Sequence, residues 1–212
     1  MTPSHVQRIT AHRVLSAAVI DSPDHAVPLA QALFDGGLDV MEIAFRNAHA
    51  AECIRRIRSA VPGMEVGAGT LLTPAQSEEA CAAGATFGVS PGFNLTVVRA
   101  AVARHFPFIP GVATPGEMEQ AFELGCTLVK LFPASAIGGP DYIRAIAGPY
   151  AHTPLRLIPL GGITEQNLVT YLNLPLVVAV GGSWLTDRKL AAAGRWEEIT
   201  ELTRRALALA QT

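Results

Sequence analysis

A closed (β/α)₈ barrel in a single domain is the fold that the sequence predicts, and three observations carry it. Strand-like apolar runs alternate with amphipathic helical stretches along the whole chain. Eight such units fit into 212 residues, the small end of the range for this fold. No linker or second composition zone interrupts the rhythm, so an open doubly wound sheet, the alternative, would have no place to stop. The expected organisation is one domain over residues 1–212 with a short N-terminal helical segment.

That leading segment is expected as a helix around Ser4 to His12. The strands are expected at Val14 to Ile20, Asp39 to Phe45, Met64 to Gly69, Thr86 to Ser90, Phe106 to Pro110, Thr127 to Phe132, Leu155 to Leu160 and Leu176 to Val180. Helices are expected at Asp24 to Phe34, Ala48 to Val61, Pro74 to Ala83, Leu95 to His105, Pro115 to Leu124, Pro140 to Ala147, Thr164 to Leu172 and Arg195 to Ala210. Their ends are marked. Gly37, Gly84, Gly125 and Gly148 follow apolar helical runs as C-terminal caps, and Thr73-Pro74 and Thr114-Pro115 put a cap residue before a proline at the first helical position.

Composition narrows the function. A formal net charge of -2 carries no basic excess for a phosphate backbone, so nucleic acid is not an expected partner. No stretch reaches the ~20 apolar residues of a membrane span, and Met1 to Arg13 lacks the apolar core of a signal peptide, so the expected location is the cytoplasm. Cys53, Cys81 and Cys126 read as reduced thiols. Neither metal nor cofactor is expected, since His5, His12, His25, His49, His105 and His152 show no ligand spacing.

The chemistry concentrates where a barrel puts its active site, at the C-terminal ends of the strands. Only Lys130 and Lys189 among the 16 basic residues are lysines, and Lys130 stands inside the apolar run Thr127-Leu-Val-Lys-Leu-Phe132. A buried ammonium must be paired or lose its proton, and a lysine, unlike an arginine, then becomes an amine nucleophile toward a carbonyl. A structural lysine neutralised by a carboxylate is the other reading. Strand alternation turns Glu42, Ala44 and Arg46 to one face, and Leu128, Lys130 and Phe132 to one face of the sixth run, so Glu42 and Lys130 are expected in one cavity. A charge network serving fold specificity alone is the alternative there. Finally, the seventh and eighth runs are followed by glycine pairs, Leu160-Gly161-Gly162-Ile163 and Gly181-Gly182-Ser183-Trp184, where barrels often bind phosphate through bare backbone N–H groups. Tight turns use the same residues.

With these residues assembled, the chain resembles the class I aldolases of 2-keto-3-deoxy-6-phosphogluconate (KDPG) and 4-hydroxy-2-oxoglutarate (KHG). The resemblance rests on the ordered set Glu42-Ile-Ala-Phe-Arg46, Gly67-Ala-Gly-Thr70, Ser90-Pro-Gly92, Ile109-Pro-Gly111, Lys130-Leu-Phe-Pro-Ala134, Ile146-Ala-Gly-Pro149, Gly161-Gly-Ile163 and Gly181-Gly-Ser-Trp-Leu185. It implies Lys130 as the Schiff-base lysine and Glu42 as the proton carrier. It implies that Arg46, Thr70, Pro91 and Phe132 surround the pyruvyl part, Arg46 and Thr70 on its carboxylate, and that Gly161, Gly162, Gly181, Gly182 and Ser183 take a phosphate. A homotrimer and a small phosphorylated 2-keto-3-deoxy sugar acid are implied as assembly and substrate, with pyruvate and glyceraldehyde 3-phosphate as products.

The chain departs from the family pattern in three places. Leu160 stands where Thr usually precedes the first glycine pair, Ala44 and Asn47 stand where Thr is common, and Leu15-Ser-Ala-Ala18 replaces a Pro-Val-rich version. Leu160 is therefore the expected specificity position. Same-family cleavage of hydroxyoxoglutarate or phosphogalactonate-type substrates, a phosphate-binding barrel isomerase without a Schiff base, and a non-catalytic phospho-ligand sensor are the alternative readings.

Overall fold

The computed structural model describes residues 4–212. Their order is α1 (His5–His12), β1 (Val14–Ala18), α2 (Ala26–Asp35), β2 (Val40–Ala44), α3 (Ala50–Ala60), β3 (Glu65–Gly69), α4 (Pro74–Ala82), β4 (Gly88–Val89), α5 (Leu95–Ala103), β5 (Phe108–Ile109), β6 (Gly111–Val112), α6 (Pro115–Glu123), β7 (Leu128–Leu131), α7 (Gly139–Ala147), β8 (Arg156–Pro159), α8 (Leu168–Leu172), β9 (Val180–Gly182), α9 (Arg188–Ala192) and α10 (Trp196–Ala210).

Every ladder is parallel. One sheet runs β5-β4-β3-β2-β1-β9 and the other β6-β7-β8. Two seams join them into a closed barrel. On one side β5 and β6 are a single run of chain divided by Pro110, which bonds β4 through one half and β7 through the other. On the other side bridges at Leu157↔Val177 and Leu160↔Gly181 tie β8 and the residue after it to β9 and the stretch leading into it. The fold is the expected (β/α)₈ barrel, with eight barrel positions drawn as nine strands because proline supplies no N–H for a continuous ladder.

Register sorts the side chains. Partners in a parallel ladder share a face, so Ala17, Glu42 and Gly67 form one interior row, with Ala44 and Gly69 paired one step further toward the C-terminal mouth. Met41 and Ile43 face the helices and are fully buried. The interior row is built of small residues around Glu42: a Cβ at Gly69 would lie 3.0 Å from the Glu42 carboxyl carbon. Space that a packed barrel interior fills with branched side chains is thereby left open at the mouth. At the opposite end, α1 is fixed to the start of β2, with His12 Nε2 2.7 Å from Asp39 Oδ1 and Arg8 paired with the same carboxylate.

Several expected boundaries shift. The eighth strand begins at Val180, not Leu176: Leu176 has φ +66° and follows Pro175, and Val177 makes only a single bridge before the ladder with β1 starts. The helix expected from Thr164 starts at Leu168, because Thr164 to Asn167 form a hydrogen-bonded loop. Gly148 is not a left-handed cap; its φ of -53° carries the chain from α7 into a 3₁₀ turn over Gly148–Tyr150. Gly37, Gly84 and Gly125 do have the positive φ of a C-terminal cap. The short helix α9 is absent from the sequence expectation, its Asp187 N-cap accepting from the N–H groups of Lys189 and Leu190.

Candidate active site

The mouth of the barrel holds a cavity of about 210 Å³. Lys130, Glu42, Arg46, Thr70, Pro91, Phe132, Leu160, Gly161, Gly162, Gly182 and Ser183 line it, which brings together residues from six of the eight barrel positions. Gly181 is the exception. It lies outside the lining, and a Cβ there would meet Leu160 Cγ and Cδ1 at 2.7 Å. Its lack of a side chain makes room for Leu160.

At the centre Lys130 Nζ donates to Glu42 Oε1 over 3.4 Å, across the barrel from β7 to β2. The two side chains are 8% and 3% exposed, so bulk water solvates neither charge. Lys130 Nζ also lies 5.3 Å from the centroid of the Phe132 ring, which offers its electron-rich face to the ammonium. Glu42 Oε2 is buried and has no hydrogen-bond partner among the described residues. A carboxylate with one oxygen on the lysine and the other without a partner retains capacity to accept a proton.

The surroundings fix this pair. Lys130 N–H donates to Pro110 O at 2.9 Å, and Gly111 registers with Lys130. A Cβ on Gly111 would sit 2.3 Å from the Pro91 carbonyl carbon, so only glycine lets Pro91 close the wall beside the lysine. The buried Ser90 hydroxyl donates to Gly92 O at 2.8 Å and accepts from Gly111 N–H at 3.2 Å, stitching that turn to β6. Thr70 carries a φ of +58°, a region a β-branched residue seldom occupies, at the point where β3 opens into the cavity.

The lining is mixed in polarity. Glu42, Arg46, Thr70, Lys130 and Ser183 bring charged or hydrogen-bonding side chains to it. Ala17, Ala18, Val19, Ala44, Leu160 and Ile163 also line it, none with a side-chain hydrogen-bonding group. Ala18 and Val19 are not singled out by the sequence; alternation after β1 is their only signal. Arg46 lies just beyond the end of β2 and lines a second cavity of about 320 Å³ as well, which shares Val19 and Ser183 and adds Lys189. Elsewhere, burial pushes the Cys53 thiol up to about 11 and the Cys126 thiol upward, leaving both as protonated core groups.

A buried lysine and carboxylate facing each other in the C-terminal mouth of a (β/α)₈ barrel is an arrangement suited to a carbon–carbon lyase of the Schiff-base class. The model of the KDPG and KHG aldolase family matches residues 6–202, and the chain belongs to that family. It is 44% identical over 195 residues to the 2-dehydro-3-deoxy-phosphogluconate aldolase of Treponema pallidum, covering 92% of each chain. It is 40% identical over 199 residues to the KHG/KDPG aldolase of Escherichia coli K12, covering 94% of this chain and 92% of that one. The KDPG aldolase of Legionella pneumophila, solved with pyruvate captured as a covalent carbinolamine, superposes with a TM-score of 0.91 at 35% identity over 96% of this chain and 98% of that one.

The pair makes a stability prediction. Removing one member strands a buried charge, so Lys130→Met and Glu42→Gln should each cost ~3–5 kcal/mol, and the double variant should cost less than their sum. Urea unfolding of the four proteins reads the coupling; strictly additive losses would show that the two groups do not interact.

Proposed function

We propose that this chain cleaves 2-dehydro-3-deoxy-6-phosphogluconate to pyruvate and glyceraldehyde 3-phosphate through an imine on Lys130. The observation that carries the proposal is the 3.4 Å contact between Lys130 Nζ and Glu42 Oε1 in a cavity with a free carboxylate oxygen. Proton exchange within the pair frees the amine. It attacks the C2 ketone, and Glu42 passes its proton to the hydroxyl of the resulting carbinolamine, which leaves as water and gives an iminium whose nitrogen takes up the electrons of the breaking C3–C4 bond, with Glu42 again a carboxylate. Glu42 Oε2 accepts the C4 hydroxyl proton, glyceraldehyde 3-phosphate leaves, and Glu42 returns the proton to C3 of the enamine before water releases pyruvate and Lys130.

The remaining lining residues take up roles consistent with their positions. Arg46 offers a planar fork for the carboxylate, with Thr70 beside it, which holds the ketone in register for attack. Pro91 and Phe132 shape the pyruvyl end, and the N–H groups of Gly161, Gly162 and their neighbours, together with Gly182 and Ser183, receive the phosphate. A homotrimeric assembly and a cytoplasmic setting go with this reading, supported by the family resemblance.

Borohydride reduction with pyruvate followed by peptide mass mapping is the direct test. Label is expected on Lys130 and is expected to vanish in Lys130→Arg along with cleavage. Lys189, in the adjoining cavity, is the built-in competitor. Label there, or full cleavage by Lys130→Arg, would refute the assignment of the imine to Lys130.

The apolar part of the cavity lining, Leu160 included, favours a broader substrate range within the same family. A wall without hydrogen-bonding groups distinguishes substrates by only ~10–200-fold for a methylene-sized difference, whereas a site built to bond a hydroxyl rejects its absence far more strongly. We expect the protein to accept phosphogalactonate-type epimers or hydroxyoxoglutarate as well, and Leu160→Thr to narrow that range while raising activity on the gluconate-derived substrate. Comparison of kcat/KM on the three substrates decides it; strict selectivity unchanged by the substitution would remove residue 160 from specificity.

A further inference from the structure

The anion-receiving loop after β8 is held open by a specific clamp. In a planar trans peptide the carbonyl of one residue and the N–H of the next point in opposite directions, so fixing one fixes the other. Three successive carbonyls here are fixed. Leu160 O accepts from Ala134 N–H at 2.7 Å, and Gly161 O accepts from Ser135 N–H at 3.0 Å. Gly162 O accepts from the Asn167 side-chain amide, Nδ2, at 2.9 Å. The N–H groups that follow them, on Gly161, Gly162 and Ile163, have no acceptor among the described residues. Gly161 and Gly162 reach this arrangement with φ of +92° and +82°, where glycine is at ease.

Two of the three clamps are backbone, supplied by the loop that leaves β7 just after Lys130, so the phosphate end is registered to the lysine strand. The third is a side chain. Asn167 donates to Gly162 O and, through Oδ1, accepts from Thr164 N–H at 2.8 Å. Both atoms of its amide are therefore used, and the pair of bonds fixes which is nitrogen and which is oxygen. Asn167 does not line the cavity.

We infer that Asn167 is a positioning residue for phosphate recognition: it orients the Ile163 N–H toward the bound anion by holding the Gly162 carbonyl away from it. The inference rests on the phosphate-binding role proposed above for this loop. Without the clamp, the Gly162–Ile163 peptide is free to rotate and present a carbonyl to the anion, which repels it. The effect belongs to the phosphate end and leaves imine chemistry at Lys130 to proceed.

The test compares a phosphorylated with an unphosphorylated substrate. In Asn167→Ala the ratio of kcat/KM for the gluconate-derived phosphate over 4-hydroxy-2-oxoglutarate should fall about ten-fold, through KM, as expected for one lost charge-assisted hydrogen bond. The inhibition constant of inorganic phosphate should rise by a similar factor. Should Asn167→Ala fail to fold, Asn167→Ser, whose hydroxyl still accepts from Thr164 N–H but falls short of Gly162 O, is read by the same comparison. An unchanged ratio, or equal losses on both substrates, would overturn the assignment. Calorimetric titration of native and variant protein with inorganic phosphate reads the clamp without turnover: weaker binding in the variant supports it and equal binding overturns it. A native protein that cleaves neither substrate would instead defeat the aldolase reading.

Discussion

The burial of one ammonium against one carboxylate is the constraint on which the rest of this structure depends. Lys130 and Glu42 are four strand positions apart around the barrel, on β7 and β2, and meet only because the sheet closes. Desolvating either ion alone is costly, and a pair recovers that cost only with good geometry. The barrel supplies the geometry through its two seams and through small interior residues, Ala17 and Gly69 beside Glu42 and Gly111 beside Lys130. Such a pair adds little to stability compared with an apolar filling of the same volume. On the proposed function its presence is explained by chemistry, since an amine nucleophile and a proton acceptor in one cavity are what imine formation and carbon–carbon cleavage require.

Much of this was legible in the sequence. The alternation of apolar runs and amphipathic helices reflects burial of a parallel sheet on both faces, a local signal that survives without coordinates. Lys130 was conspicuous for its setting in an apolar run, and the odd-even alternation of strand two sufficed to aim Glu42 inward. What was not legible depends on contacts between distant residues. The split of the fifth barrel strand at Pro110 and the late start of the eighth follow from ladder partners. Gly181 differs from Gly182 only in which side of the strand meets Leu160. Asn167 reads as an ordinary residue inside the expected Thr164 to Leu172 helix until its bond to Gly162 O is seen.

The cavity lining combines charged side chains, glycine-rich backbone and apolar side chains. On the proposed reading the charged groups would fix the ketone, the backbone N–H groups would receive the phosphate, and the apolar residues would distinguish the rest of the substrate only weakly. Leu160, seated over Gly181, is where this chain commits itself to the apolar version.

The central claim is that Glu42 carries protons in addition to neutralising Lys130. Exchange of the pyruvate methyl protons with solvent deuterium, followed by NMR in native protein and Glu42→Gln, isolates that step from cleavage. The account predicts that Glu42→Gln still yields a borohydride-reducible imine with pyruvate but exchanges protons ~10²–10⁴-fold more slowly. Exchange at the native rate with the imine intact would contradict it, leaving Glu42 as a counter-ion only.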